Sequence, residues 1–419
     1  MTVTVDPAAE RTRARRALIG SGLLLALAVG AANALNAVFQ FALARILERG
    51  EYSLLAALFA VVLIGAVPPL AFQATTARKV ASSLAEGRET EAGTYLRATL
   101  RSVLLWTGVL LVLTAVLVPV GAAAGLDEPL AIAATAATVA IALVIPVAWG
   151  GLQGAHRFRD LAGATLLFAG SRLAAGLVIG AAGGGVGAVM LGVAGATALT
   201  AALSLLPLRG LLVRTAGAAP SRLRLATLPN AGAAAGLTTL TVLATSDLLV
   251  AKLAFPSGRA GDYAAASVGA RVMLLIPIAV TTVLFPRVAT LRDRRRERSH
   301  LLAGLLAVGV TAAIATVLLW TLATPLIELT FGAKYDDAAS WLGPLSLAMA
   351  LYALATVYLY HFLSLGQSRF ALVLLALLAL QLVLFGALHA SPRELIGVQI
   401  GVAAATLVAA EAWHLARHR

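Results

Sequence analysis

The chain has 419 residues, of which 60% are hydrophobic and 12% charged, and a mean hydropathy of +0.92. That mix excludes a water-soluble globular domain. The net charge of +13 reads as a topological signal rather than a nucleic-acid footprint, and with 0 cysteines the chain has neither a disulfide scaffold nor a thiolate metal site.

A bilayer core about 30 Å thick takes about 20 apolar residues as a helix, and such runs follow one another almost without pause. Residues 1–16 form a basic segment, with Arg15 and Arg16 anchoring it on the cytoplasmic side. The first span, 17–44, is too long for a signal peptide and lacks a small-residue cleavage site, so it is expected to be retained. It carries Asn33, Asn36 and Gln40 at i, i+3 and i+7, on one face of the helix. Amides in hydrocarbon need either a wet cavity or hydrogen bonds to neighbouring helices, and both arrangements fit this spacing.

Further spans are expected at 53–77, 97–123, 131–150 and 161–182. Arg172 lies about eleven residues into the fifth of the series, roughly 16 Å deep at 1.5 Å per residue. Charge at that depth is costly unless it is solvated or paired, so Arg172 marks either a cavity wall or a structural ion pair. Thr165 shares its face and Ser171 adjoins it. The run "GGGVG", Gly183 to Gly187, follows no strand and reads as a tight turn into the sixth span, 186–208.

The segment 209–227 mixes Arg with Gly, Pro and Ser and is the natural linker. The seventh span, 228–253, carries Asp247 near its outer end, either as an ion-coupling carboxylate or in a salt bridge to Lys252 or Arg271. The eighth, 263–289, carries Arg271 with Ser267 and Thr282 on about the same face and Pro277 as a potential kink. Arg271 is thus a second cavity candidate, with pairing to Asp247 as its rival. The basic run "RDRRRERS", Arg292 to Ser299, reads as a topology anchor able to touch anionic headgroups. The last four spans are 301–324, 341–365, 369–388 and 394–415, and Glu328 and Glu411 fall near span ends, at the membrane interface.

With the N-terminus cytoplasmic, inner segments hold 24 of the 32 Lys and Arg and outer loops 6, while two lie within spans. This asymmetry follows the positive-inside rule and places a multi-pass protein in the cytoplasmic membrane with both termini inside. The halves also repeat. "QFALAR" (Gln40 to Arg45) matches "DLLVAK" (Asp247 to Lys252), and "GEYSLLAA" (from Gly50) matches "GDYAAASV" (from Gly261). Pro68 and Arg78 match Pro277 and Arg287, and "GAHRF" (Gly154 to Phe158) matches "GQSRF" (Gly366 to Phe370). Six spans per half is an even number, so the expected units are two parallel-related six-helix bundles, 17–208 and 228–416, around a central cavity.

The segments "FALARILERGEYSLLAAL", "GGLQGAHRFRDLA" and Ser246 to Ala289 resemble the polysaccharide biosynthesis, or oligosaccharide flippase, family of the MOP (multidrug, oligosaccharidyl-lipid, polysaccharide exporter) superfamily, over about residues 17–416. The resemblance implies an alternating-access exporter of a lipid-linked (polyprenyl diphosphate) oligosaccharide, with a cationic cavity for the diphosphate and sugar. Arg271 resembles the family's cationic positions in the eighth helix, whereas Arg172 rests on the physical argument. Amides replace the cations that peptidoglycan-precursor flippases carry in the first helix, which favours another glycan. The expected substrate-binding residues are Arg172, Arg271, Asn33, Asn36 and Gln40.

Guanidinium forks suit a diphosphate, which sets this reading apart from two others, a multidrug or cation antiporter and a non-transporting scaffold for cell-wall assembly. The expected partners are the lipid-linked oligosaccharide, membrane lipids and glycan-assembly proteins, with no nucleic acid. The six histidines lack ligand spacing, and nothing pairs a nucleophile with a base, so no metal, cofactor or catalytic chemistry is expected.

Overall fold

Proline and glycine divide the apolar runs into helices. The computed structural model describes residues 7–123, 125–126, 128–213, 231–277 and 294–416, and among these every regular element is helical. Helix α1 (Pro7–Ile46) begins well before the first apolar run. The second expected span is two helices, α2 (Arg49–Ala66) and α3 (Leu70–Ala85). Pro68 and Pro69 between them lack the N–H needed to continue the ladder. Helix α4 (Glu89–Ala123) carries Pro119 internally. The fourth span also divides, into α5 (Pro129–Ala142) and α6 (Val144–Gly154). Near this break the Thr107 hydroxyl of α4 donates to the Ala140 carbonyl at 2.9 Å, satisfying an acceptor that lipid could not.

Helices α7 (Phe158–Ala181) and α8 (Val186–Leu205) are joined by the expected glycine turn, with Gly183 at φ +80°. The short α9 (Arg209–Val213) ends the described part of the first half. The second half opens with α10 (Ala231–Ala254) and α11 (Ser257–Ala270). The chain then tightens into a 3₁₀ stretch, Arg271–Leu275, ahead of Pro277. Thr282, Arg287, most of the linker and part of the basic run lie outside the described residues. There follow α12 (Arg294–Thr321), α13 (Ala323–Thr330), α14 (Ala338–Ser364), α15 (Phe370–Ala387) and α16 (Pro392–Ala416).

Among the described residues, 11 segments are long and apolar enough to cross a membrane. They coincide with eleven of the twelve expected spans, and the eighth is described only as far as Pro277. The chain is an all-α integral membrane protein. Leu104, Leu105, Trp106, Val109 and Val112 on α4 remain exposed, as do Leu306, Val310, Ile314 and Val317 on α12. Such surfaces belong against lipid tails.

Within the first half α1 packs on α7, α3 on α6, and α5 on α4 and α8. Within the second, α14 packs on α12, α11 and α16, and α10 on α15. The halves meet where α2 lies against α10 and α11. The repeated glycines explain this contact. A Cβ on Gly261 would lie 2.5 Å from the Arg49 carbonyl oxygen, and one on Gly50 would lie 2.8 Å from the Ser257 Cβ. Each half therefore contributes one glycine to a close backbone approach across the interface.

Candidate functional site

A central cavity of about 310 Å³ opens between the halves. Helix α1 lines it with Asn33, Asn36 and Gln40, α7 with Arg172, and the second half with Arg271. All five residues expected to bind substrate therefore share one space. The 3.6-residue period of α1 turns the three amides toward the same side. None of them hydrogen bonds another described residue through its side chain, and the Gln40 Oε1 is buried without a partner. They line the cavity instead of tying α1 to its neighbours.

Among the described residues Arg172 has no carboxylate partner, and its Nε is buried without an acceptor. Its guanidinium carbon sits 4.9 Å from the ring centre of Phe59, 5.0 Å from that of Phe168 and 5.7 Å from that of Phe39. Ring faces contribute about 0.5 to 2 kcal/mol each, which offsets much of a burial cost of about 2.5 kcal/mol or more. The result is an uncompensated cation held in an aromatic cage at the cavity wall.

Arg271 differs from Arg172 in one respect that decides its chemistry. Its Nη2 lies 2.6 Å from the Asp247 Oδ1 and donates to the Ala244 carbonyl, while Nη1 donates to the Ser267 hydroxyl. The fully buried Asp247 also accepts from Ser267 at 2.6 Å and from the Tyr263 hydroxyl at 3.1 Å. Asp247 is ion-paired with Arg271, and Lys252 takes no part in that pair. Arg271 thus reaches the cavity with its charge cancelled. Its position where α11 tightens into 3₁₀ geometry brings the side chain back toward α10.

A second polar network continues from this pair. The Tyr352 hydroxyl lies 3.2 Å from the Oε1 of both Gln381 and Gln399. Gln381 donates to the Leu243 carbonyl at 2.9 Å and approaches Ser246 at 3.2 Å. Sequence reasoning missed these residues, although a glutamine within "LALLALQLVLF" is itself a signal.

A neighbouring compartment of about 360 Å³ shares Asn33 and Asn36 with the central cavity. Gln73 of α3, Trp149 and Gln153 of α6, and Thr165 of α7 complete its polar lining. The Trp149 Nε1 donates to the Ser204 hydroxyl at 3.2 Å, and its ring meets Phe168 edge-on at 6.2 Å. The Thr165 hydroxyl is spent on the Leu161 carbonyl. Gln73, Trp149 and Gln153 were also absent from the sequence-based site, because they face it only after α3 and α6 pack together.

The end of the bundle at which α1 terminates, the end expected from the charge pattern to face outward, is closed across the halves. Arg45 donates to the Glu328, Leu329 and Thr330 carbonyls at the end of α13. In return, Lys334 donates to the Arg45 and Leu47 carbonyls at the end of α1, and the Tyr335 hydroxyl to that of Ala44. Each half thus places a cation on the negative end of a helix from the other. Arg49 pairs with Asp262 at 3.3 Å. Asp262 is buried at this end, ahead of the expected eighth span, and burial pushes its carboxyl up to about 6 despite the Arg49 guanidinium.

No protein-family model matches the sequence, and no curated protein matches it. Solved structures do resemble it. An inward-facing multidrug resistance MATE family transporter of the MOP superfamily is similar with a TM-score of 0.74 at 15% identity, over 91% of this chain and 94% of that one. The lipid II flippase MurJ in an inward closed conformation gives a TM-score of 0.68 at 12% identity, over 95% of this chain and 88% of that one. The eukaryotic MATE transporter AtDTX14 gives 0.64 at 13% identity, over 93% and 95%. At these identities the likeness is one of fold, and the chain has the fold of the MATE and MurJ transporters.

Proposed function

We propose that the protein is an alternating-access flippase for a lipid carrying a diphosphate-linked glycan, exporting it for cell-surface polysaccharide synthesis. The observation that carries this reading is Arg172, a guanidinium without a carboxylate partner on the wall of a central cavity. An anionic headgroup would supply the missing acceptors, and a diphosphate matches the donor fork. Arg271 contributes donors without net charge, and Gln40 an amide beside them. The two halves, 17–208 and 228–416, would be the moving bodies, in a cytoplasmic membrane with both termini inside. Partners would be the lipid-linked oligosaccharide, surrounding lipids and glycan-assembly proteins.

A multidrug exporter is the second reading, favoured by the MATE transporters among the similar folds. A lipophilic cation would meet repulsion from Arg172, with Asp247, the one carboxylate near the cavity among the described residues, already engaged. The test is transbilayer movement of a fluorescent polyprenyl diphosphate sugar in liposomes containing the protein, against uptake of a lipophilic cationic dye. Lipid movement is expected, and Arg172→Ala should weaken lipid binding about tenfold to a hundredfold, from about 1.5 to 3 kcal/mol for charged hydrogen bonds. Dye uptake without lipid movement would transfer the assignment to the drug exporter.

A further inference from the structure

We infer that the compartment beside the central cavity is a subsite for an uncharged sugar, the one joined directly to the diphosphate. This inference rests on the flippase reading and adds the class of glycan to it. Four carboxamides from three helices, Asn33 and Asn36 of α1, Gln73 of α3 and Gln153 of α6, converge on the space. None hydrogen bonds another described residue through its side chain, so their donors and acceptors are available to a ligand. In the second half, the buried amides of Gln381 and Gln399 bond to each other and to Tyr352, which shows what amide glue looks like in this fold.

A sugar hydroxyl is both donor and acceptor, and a carboxamide offers both roles in one plane, so the two match without any net charge. Trp149 adds an apolar ring beside the amides, its orientation held by Ser204. Among the described residues no Asp, Glu, Lys or Arg lines the compartment, which disfavours a uronate or an amino sugar there, since either would be desolvated without a counter-ion. The volume of about 360 Å³ is on the scale of a small-ligand site.

The placement follows the chemistry of such a lipid. Asn33 lies seven residues before Gln40 on α1, about 10 Å along the helix. The amide compartment therefore adjoins the Arg172 cage, and Phe168 belongs to both. A diphosphate at Arg172 would deliver its first sugar into the amides.

The experiment measures binding and flipping, in proteoliposomes, of three probes: polyprenyl diphosphate, its neutral hexose conjugate and its uronic acid conjugate. The wild type is expected to prefer the hexose conjugate to the uronate. In the double variant Gln73→Ala and Gln153→Ala, the preference for the hexose conjugate over the sugarless lipid should fall at least tenfold. An unchanged preference, or one in which the uronate binds best, overturns the subsite. A separate readout is quenching of Trp149 fluorescence by a soluble diphosphate of an uncharged hexose, with Trp149→Phe as the blank. Quenching without flipping of any lipid probe would retain the sugar subsite and overturn the flippase reading. Flipping with no quenching and no sugar preference would do the reverse.

Discussion

Arg172 and Gln40 in the first half, and Arg271 and Gln381 in the second, are the same residue types embedded in the bundle, yet their surroundings differ. Arg172 touches three phenylalanine rings and no anion, while Arg271 is bound to Asp247, Ser267 and the Ala244 carbonyl. The Gln40 Oε1 has no partner, while Gln381 is engaged by Leu243, Ser246 and Gln399. In the second half most of these groups hold α10, α11, α14, α15 and α16 together, with Arg271 Nε and Gln399 Nε2 left buried without a partner. In the first, the Arg172 Nε and Gln40 Oε1 have no partner, and both residues line the central cavity. A polar group in a membrane helix is thus informative about function only once its partners are known.

The sharpest way to break this contrast is to remove one member of the closed pair. Asp247→Ala should cost about 3 to 5 kcal/mol by leaving Arg271 buried and unpaired, read as a lower thermal unfolding midpoint in detergent. Arg172→Ala should leave that midpoint near the wild type, and an equal loss in both variants would erase the distinction. Next in size, Gln381→Leu should cost about 1 to 3 kcal/mol through stranded partners. Asn36→Leu, at the cavity wall, should stay within about 0.5 kcal/mol.

The halves can also be compared through the contacts they exchange. Arg45 and Lys334 cap helix ends reciprocally, so Arg45→Ala combined with Lys334→Ala should favour opening of the outer end. Each cap contributes about 0.3 to 1 kcal/mol, so labelling of a cysteine placed at Ala37 by an impermeant reagent from outside should rise roughly threefold to thirtyfold. The native chain has 0 cysteines, which makes that reading clean. Unchanged labelling would show that the glycine contact, the Arg49–Asp262 pair and the Tyr335 hydrogen bond keep the end shut without the two caps.

The same end also carries a pH dependence. The Asp262 carboxyl, facing Arg49 with Asp336 and Asp337 nearby, is raised to about 6, against about 3.9 for an exposed aspartate. The closed end holds this proton more tightly than an opened one, so protonation favours closure. That advantage is complete below about pH 4 and is lost as pH rises through about 6. Outer labelling should therefore increase from pH 5 to pH 7, and Asp262→Asn should flatten the change. A decrease over the same interval would reverse the sign.

Composition and periodicity alone determined the membrane-spanning class, the order of spans, the glycine turn at Gly183 and the alignment of Asn33, Asn36 and Gln40 on one face. These follow from bilayer thickness, the helical repeat and the cost of unpaired backbone groups, all of which act within a single segment. The matching of "GEY" with "GDY" was also legible, although its meaning, two glycines at one close approach, was not. Tertiary structure alone decided that Arg172 is uncompensated while Arg271 is neutralised, since both read as embedded arginines until α10 places Asp247 beside one of them. It also decided that Gln73, Trp149 and Gln153 join the α1 amides, and that Arg45 and Lys334 meet helix ends about 285 residues away in sequence. Charge compensation and cavity lining depend on which helices become neighbours, and in a chain of near-uniform apolar helices that choice rests on side-chain packing between segments, which the local pattern does not encode.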